Sequence, residues 1–182
     1  MVQHATPALG AVARLEVIAL DTPIGEVTLA ATGSGVAYVL LPGASSDPMI
    51  ESFLRREPCA EIAHVDALTL WLEPGAAAVM AALAGADRPL PALDLGITEF
   101  ERLVLMAICT IPRGDTRSYQ QVANAIDHPK ATRAVGQACS ANPVPILVPC
   151  HRVVGESGRL VGFLGGLDMK ARLLAREGAL LT

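Results

Sequence analysis

The chain has 182 residues, of which 52% are hydrophobic and 3% aromatic, and its formal net charge at pH 7 is −4. It is long and apolar enough for one large domain or two small ones. No apolar run is long enough to span a bilayer, and residues 1–7 lack the features of a signal peptide. We therefore expect a cytoplasmic protein without a membrane partner.

The first half of the chain has the pattern of a small antiparallel sheet with helices. Alternating and β-branched residues predict strands at 14–20, 27–32 and 36–41. Helices are predicted at 48–56 and 72–83, whereas 57–68 show no clear pattern, and breakers at 85–91 indicate a linker. We expect residues 1–90 to form an α/β domain with a three-stranded antiparallel sheet and no catalytic residues.

The second half of the chain differs from the first in charge. Residues 1–100 carry a net charge of −8 and residues 101–182 a net charge of +4. This asymmetry indicates two functional regions, with any DNA contact confined to the second. The alternative is an uneven scatter of solvated charges.

Helical patterns dominate this second half. Thr98 and Glu101 have the spacing of a capping box, and we predict helices at 99–111, 119–126, 131–140 and 168–177. The middle two helices, joined by a tight turn, match a helix-turn-helix. The helix at 131–140 is rich in small residues, which would let another surface approach closely. Packing against another helix of the same domain explains that composition equally well.

Residues 142–155 hold the candidate nucleophile. Pro143, Pro145 and Pro149 each limit the backbone and remove a donor, so we predict a stiff, extended lead to Cys150. The neighbouring His151 and Arg152 should lower the pKa of the thiol, and the thiolate is the reactive form. A buried cysteine acting as a small hydrophobe is the alternative.

The cysteines and histidines form no other recognisable site. Four of each are scattered along the chain without a CxxC pair or a regular spacing. Their density and spacing do not fit a disulfide framework or a zinc site. We expect reduced thiols, no metal and no cofactor.

The segment Asn-Pro-Val-Pro-Ile-Leu-Val-Pro-Cys-His-Arg-Val (142–153) resembles the active-site signature of the O6-alkylguanine-DNA alkyltransferases, also called methylated-DNA–protein-cysteine methyltransferases. The motifs at 111–114, 118–123, 133–136 and 165–178 are similar to other elements of that family. The resemblance is close over residues 90–178 and extends only to the layout of the first 90. It implies an α+β protein with a ribonuclease-H-like domain at 1–90 and a winged-helix-like domain at 91–182.

The resemblance also implies an activity. A monomer would bind alkylated double-stranded DNA, flip out O6-alkylguanine, and transfer its alkyl group irreversibly to Cys150 without a cofactor. O4-alkylthymine would be a second substrate. Because no group in the sequence can remove the resulting thioether, each molecule would act once.

Site residues carry over from the family motifs position by position. Cys150 would accept the alkyl group, His151 would deprotonate it through a water, and Glu177 would orient His151. Asn142 would brace the segment, and Tyr119 would stabilise the leaving guanine. The DNA contacts would be Tyr119, Ala131, Thr132, Arg133, Gly136, Ser140 and Arg152, with Arg133 entering the base stack. The guanine pocket would comprise Pro145, Val153, Phe163, Leu164 and Gly165.

Three positions depart from the family pattern. Phe163 replaces a tyrosine that is frequent in relatives, and Leu164 replaces a smaller residue, which would narrow the pocket for bulky alkyl groups. Leu105 stands where tryptophan is frequent, which indicates a change in packing. None of the three removes a reacting group.

Two other functions fit part of the pattern. A DNA-binding module that only senses lesions or regulates transcription would explain the helix-turn-helix but not Cys150. A cysteine hydrolase would use Cys150 and His151. Adjacent residues of an extended segment point to opposite sides, so a direct contact between them would need a local turn.

Overall fold

The computed structural model describes residues 12–86 and 88–179; the residues of the signal-peptide prediction lie outside these ranges. Contacts divide the chain into Met1–Ala78 with Pro89–Gly96, and Val79–Arg88 with Ile97–Thr182. This division differs from the predicted boundary near residue 90, because Val79–Arg88 groups with the second unit. In the described part of the chain, no helix is long and apolar enough to cross a membrane.

The first unit contains a mixed sheet rather than the predicted three-stranded antiparallel one. Its strands are β1 (Arg14–Thr22), β2 (Gly25–Thr32), β3 (Gly35–Leu40) and β4 (Glu61–His64), in the order β3-β2-β1-β4. The first three pair antiparallel, and β4 pairs parallel to β1. The fourth strand has only four residues and one β-branched side chain. Its pairing with a distant strand is therefore invisible to a local pattern.

Two helices accompany this sheet. Helix α1 (Asp47–Arg56) buries Met49 and Phe53 in a core with Leu15, Val17, Ala30 and Ala37. Helix α2 (Glu73–Ala84) begins close to the sheet, since a Cβ at Gly75 would lie 2.6 Å from Cγ2 of Val36. The amphipathic pattern of α1 and the alanine content of α2 both predicted these helices to within a residue of their ends.

The backbone beside Gly35, at the start of β3, leaves no space for a side chain at this position. Val36 N donates to Ala92 O at 2.9 Å, and Asp94 N donates to Val36 O at 2.9 Å. Gly35 has a φ of +143°, and a Cβ there would lie 2.4 Å from Ala92 O. Only glycine accommodates both this φ and this approach.

The second unit is mostly helical. Its helices are α3 (Glu99–Cys109), α4 (Tyr119–Ala125), α5 (Thr132–Ser140) and α6 (Gly166–Arg176). Two short strands, β5 (Arg117–Ser118) and β6 (Val153–Val154), pair in parallel. The second half of α2, from Val79, also belongs to this unit.

Local capping sets where α3 and α4 begin. The hydroxyl of Thr98 accepts from Glu101 N and the carboxylate of Glu101 accepts from Thr98 N, which confirms the predicted capping box. Ser118 and Gln121 form an equivalent pair at the start of α4. Leu105 is 1% exposed, so the position that differs from relatives is a core position.

The close approach at Gly35 yields a stability prediction. Gly35→Ala should lower the free energy of unfolding by about 3 kcal/mol, because it adds a clash with Ala92 O to an unfavourable φ. Gly43→Ala is the matched control, since Gly43 has a φ of +82° but nothing within 4 Å of an added Cβ. It should cost about 1 kcal/mol. Urea unfolding can be followed by the fluorescence of Trp71, the only tryptophan of the chain; equal losses in both variants would contradict the steric argument.

Candidate active site

The segment before Cys150 is folded into turns, so the prediction of an extended lead is wrong. Val148 N donates to Val144 O at 3.0 Å, and Cys150 N donates to Val148 O at 2.8 Å. Ile146 has a φ of 76°, and residues Cys150–Arg152 form a short 3-10 helix. A proline φ near −65° suits a turn as well as an extended chain, and the remaining N–H groups pair locally. The 3-10 helix at Cys150–Arg152 is therefore a local turn, which an extended segment would not contain.

Asn142 fixes the candidate nucleophile, Cys150, within these turns. Its Nδ2 donates to Val148 O at 2.9 Å and to Cys150 Sγ at 3.1 Å, while its Oδ1 accepts from Val144 N at 3.1 Å. The asparagine is 2% exposed. A buried amide with these three hydrogen bonds has one orientation, so the thiol beside it is held in place.

The pKa of Cys150 is raised, which contradicts the predicted lowering. Cys150 is 4% exposed, and burial raises the pKa of its thiol. The hydrogen bond from Asn142 and the charge of Lys170 oppose this effect only in part. The guanidinium of Arg152 is turned to Glu177 instead of the sulfur. At neutral pH the site therefore holds a thiol.

His151 lies in a buried contact with a carboxylate. Its Nε2 is 3.1 Å from Oε1 of Glu177, an ion-pair distance without the alignment of a full hydrogen bond. Burial lowers the pKa of His151, and Glu177 opposes that shift in part. Its Nδ1 is buried without a hydrogen bond to any described residue. The imidazole is therefore neutral at pH 7 and able to accept a proton.

Glu177 follows the last residue of α6, and the guanidinium of Arg152 binds both oxygens of its carboxylate. Arg152 Nε donates to Oε2 at 2.8 Å and Nη2 donates to Oε1 at 2.8 Å. Burial would raise the pKa of Glu177, but its interactions with His151 and Arg152 lower that pKa to about 2. Arg152 Nη1 also donates to Ile111 O at 2.6 Å. All three nitrogens of Arg152 therefore bond within the protein, and its assignment as a DNA contact stays a prediction.

Lys170 lies in the site, although the sequence indicated it only as part of the family motif at 165–178. It is 0% exposed, and its Nζ donates to Val153 O at 2.6 Å, Val161 O at 2.9 Å and Gly162 O at 3.3 Å. Burial lowers its pKa, and the negative charge that Cys150 and Cys139 carry when ionised opposes that shift. A lysine on the apolar face of α6, beside Met169 and Leu173, was the available signal.

Tyr119 contacts the same loop. Its hydroxyl donates to Val161 O at 3.3 Å, and Lys170 Nζ lies 5.9 Å from the centre of its ring. Burial, together with Cys139 and Cys150, raises the pKa of Tyr119 to about 12. The phenol at the start of α4 therefore keeps its proton at neutral pH and can donate a hydrogen bond.

The predicted pocket residues divide into buried and exposed groups. Pro145 and Val153 are buried. Phe163 is half-buried with its ring edge-on to His151, at a centroid distance of 6.5 Å. Leu164 is 59% exposed, and Gly165 is also exposed. The loop therefore presents its apolar residues next to the imidazole and at the surface.

The predicted DNA-contact residues lie on or beside α5. Thr132 Oγ1 donates to Gln120 Oε1 at 2.7 Å, and Ser140 Oγ donates to Gly136 O at 3.1 Å. A Cβ at Gly136 would lie 3.9 Å from the ring of Tyr119. Ala131 is half-buried just before the helix. Arg133 is exposed, and within residues 12–86 and 88–179 it has no hydrogen bond or ion pair.

The described residues contain no group of three or more His, Cys, Asp or Glu side chains placed to hold a metal ion.

Comparisons with known proteins agree with this geometry. The family model of the 6-O-methylguanine DNA methyltransferase DNA-binding domain matches residues 99–179. A methylated-DNA–protein-cysteine methyltransferase of Mycobacterium bovis is 39% identical over 158 residues, covering 87% of this chain and 89% of that protein. The bifunctional transcriptional activator/DNA repair enzyme Ada of Escherichia coli is 41% identical over 86% of this chain. The match spans only 44% of the length of Ada.

A solved structure extends the similarity to the fold. The Mycobacterium tuberculosis OGT structure in complex with DNA matches with a TM-score of 0.71 and 34% identity, covering 90% of this chain and 92% of that one. It supports an α+β fold with a sheet and several helices. With 39% identity to the Mycobacterium bovis protein over most of both lengths, this chain belongs to the methylated-DNA–protein-cysteine methyltransferase family.

Proposed function

We propose that this protein repairs alkylated duplex DNA by transferring the alkyl group of O6-alkylguanine to Cys150, once per molecule. The observation that carries the proposal is the set of contacts around one sulfur. Asn142 holds the thiol, the next residue is a neutral imidazole, and that imidazole faces the carboxylate of Glu177. A nucleophile, a base and an orienting group are thereby combined, as nucleophilic catalysis requires.

The transfer is a displacement at the alkyl carbon. The proton of Cys150 passes through a water to Nδ1 of His151, and the sulfur attacks the carbon. A C–S bond forms while the C–O6 bond breaks, and its electron pair goes to O6 of guanine. Tyr119 donates a hydrogen bond to the leaving guanine, and N1 of that base takes up a proton from solvent. The imidazolium of His151 then releases its proton to solvent, so the products are guanine and a thioether on Cys150, and proton and charge balance.

A raised thiol pKa fits this sequence of events. A resting thiolate–imidazolium pair would place two charges in a buried site, at a desolvation cost of several kcal/mol per ion. A neutral thiol and a neutral imidazole avoid that cost until the base arrives. Glu177 then stabilises the imidazolium as it forms. Because its pKa is about 2, Glu177 stays charged at every pH at which the protein would act.

DNA would be bound through α4 and α5. The small residues Ala131, Gly136 and Ser140 let α5 approach the duplex closely, with Thr132 beside them. The exposed Arg133 occupies the gap that the flipped nucleotide leaves, which offsets an extrusion cost of a few kcal/mol. The flipped base lies against Pro145, Val153, Phe163, Leu164 and Gly165.

Finer assignments belong to the same proposal. The second unit acts as a winged-helix-like DNA-binding domain, and the first unit has a ribonuclease-H-like arrangement. The protein works as a monomer, and O4-alkylthymine is a second substrate. Exposed Leu164 limits the pocket to small alkyl groups.

Alkyl transfer is tested with a duplex that contains one O6-methylguanine. Mass spectrometry should find one methyl group per protein, on Cys150. Cys150→Ala should abolish transfer and retain DNA binding, whereas Cys59→Ala, at an exposed cysteine of the first unit, should change neither. Repeated turnover, or a methyl group on another residue, would refute the proposal.

The intercalating role of Arg133 is tested by comparing two substrates. Arg133→Ala should slow transfer from duplex DNA by about 10- to 100-fold, since base flipping costs a few kcal/mol. Transfer from the free base O6-methylguanine, which needs no flipping, should keep its rate. Arg102→Ala, at an exposed residue of α3, is the control. Equal losses on both substrates would place Arg133 in another role.

Glu177 generates a prediction on stability and pH. The folded-state pKa of about 2 lies below the unfolded value of about 4.3. Its stabilisation is therefore complete above about pH 4.3 and is lost as the pH falls towards 2. Glu177→Gln should lower Tm most at neutral pH, and its difference from the wild type should shrink in acid. A difference that stays constant from pH 7 to pH 3 would contradict the linkage.

A further inference from the structure

We propose that Arg113 is a positioning residue of the alkyl-transfer site, because it links the last turn of α2 to the carboxylate that faces His151. The inference rests on the proposed function of Cys150 and His151. Arg113 belongs to the motif at 111–114, which follows the end of α3. In the structure its guanidinium instead lies between two helix ends of the second unit.

The guanidinium of Arg113 makes three contacts. Its Nη1 donates to Ala82 O at 2.9 Å, and its Nη2 donates to Arg176 O at 3.1 Å. Nη1 also lies 3.8 Å from Oε1 of Glu177. One planar group therefore joins the carbonyl end of α2, the carbonyl end of α6 and the side chain that follows α6.

Glu177 needs such support because of where it stands. It follows Arg176, the last residue of α6, where unpaired carbonyls make the helix end negative. A carboxylate at that end is repelled by the helix. Arg152 offsets the repulsion through both carboxylate oxygens, and Arg113 adds a second positive charge at Oε1. This is the oxygen that lies 3.1 Å from His151 Nε2.

Arg113 also forms part of the wall of a small cavity behind the imidazole. The cavity has a volume of about 10 Å³ and is lined by His151, Glu177, Ile146, Arg113 and Arg176, with the last turn of α2. That volume is about the least that holds one water. Shortening Arg113 would open this space and admit water to the contact between His151 and Glu177. Arg176 Nη2 donates to Leu83 O at 3.2 Å and closes the same side.

The surrounding charges determine the sign of the effect. Oε1 of Glu177 faces His151, Arg152 and Arg113, and the charges of Arg152 and Lys170 also lower the pKa of His151. Without Arg113, Glu177 is less neutralised and stabilises the imidazolium more strongly, so the pKa of His151 rises. At the same time Glu177 is held less firmly, which loosens the imidazole. Both effects should be visible in the pH dependence of transfer.

The test uses the full-length protein and three variants. Arg113→Met removes both the positive charge and the planar guanidinium with its two donors. Arg113→Lys keeps the charge but not the planar group. Arg172→Met is the control, because Arg172 is exposed on the same helix as Lys170; it makes no hydrogen bond or ion pair with the part of the chain that is described. Single-turnover transfer from methylated duplex is measured from pH 5 to 8.5, with DNA affinity and Tm for each variant.

We expect Arg113→Met to move the low-pH limb of the profile of transfer rate against pH to higher pH, by about half a pH unit. The rate on its plateau should fall about tenfold, with DNA affinity unchanged. Arg113→Lys should keep the wild-type acid limb and recover part of the rate. A lower Tm with an unchanged acid limb and plateau would show that Arg113 only caps α2, and would overturn the inference.

A second readout separates this inference from the proposed function. The titration of His151 by NMR should show a higher pKa in Arg113→Met than in the wild type, even if neither transfers an alkyl group. If the wild type transfers and the titration does not move, only the role of Arg113 fails. If Arg113→Met does not fold, Arg113→Gln replaces it, and an unchanged His151 titration there counts equally against the inference.

Discussion

The carboxylate of Glu177 is the interaction on which the candidate site depends. It is placed at the carbonyl end of α6, where a negative charge is unfavourable, and it is stabilised there by the fork of Arg152. Because the same oxygen faces His151, the position of the imidazole follows from that of the carboxylate. Arg152 in turn is anchored to Ile111 O, so the end of α3, the 3-10 helix at Cys150 and the end of α6 share one network.

Two further buried polar groups hold the loops around this network. Asn142 hydrogen-bonds backbone groups of the turns before Cys150. Lys170 donates to carbonyls of β6 and of the loop before α6. Each is almost fully buried, and each is matched to partners that would otherwise be unpaired. Removing either group would leave buried carbonyls without donors, at a cost of about 1–3 kcal/mol for each. The rigidity of the site comes from this pairing of irregular backbone with buried side chains.

The state of the site follows from burial more than from neighbouring charge. A positive residue next to a cysteine predicts a thiolate only if its charge faces the sulfur. Arg152 faces Glu177, and the low-dielectric surroundings of Cys150 keep the proton on the thiol. The thiol of Cys150 and the imidazole of His151 are therefore neutral at rest, and the proposed transfer would create charges there only during the reaction.

The sequence by itself determined what is local or carried by motifs: the helices of the second unit, the capping box at Thr98, the reactive position of Cys150 and the family. These depend on residues a few positions apart, so hydrogen bonding and periodicity specify them without the rest of the chain. Tertiary structure alone decided the fourth strand, the turns before Cys150, the partner of Arg152 and the contacts of Lys170 and Arg113. The turns before Cys150 are local in the chain but are held by the buried side chain of Asn142, whereas the other features join groups far apart in the chain. Both the direction of a long side chain and the pKa of a buried group are decided by neighbours that only the fold brings together.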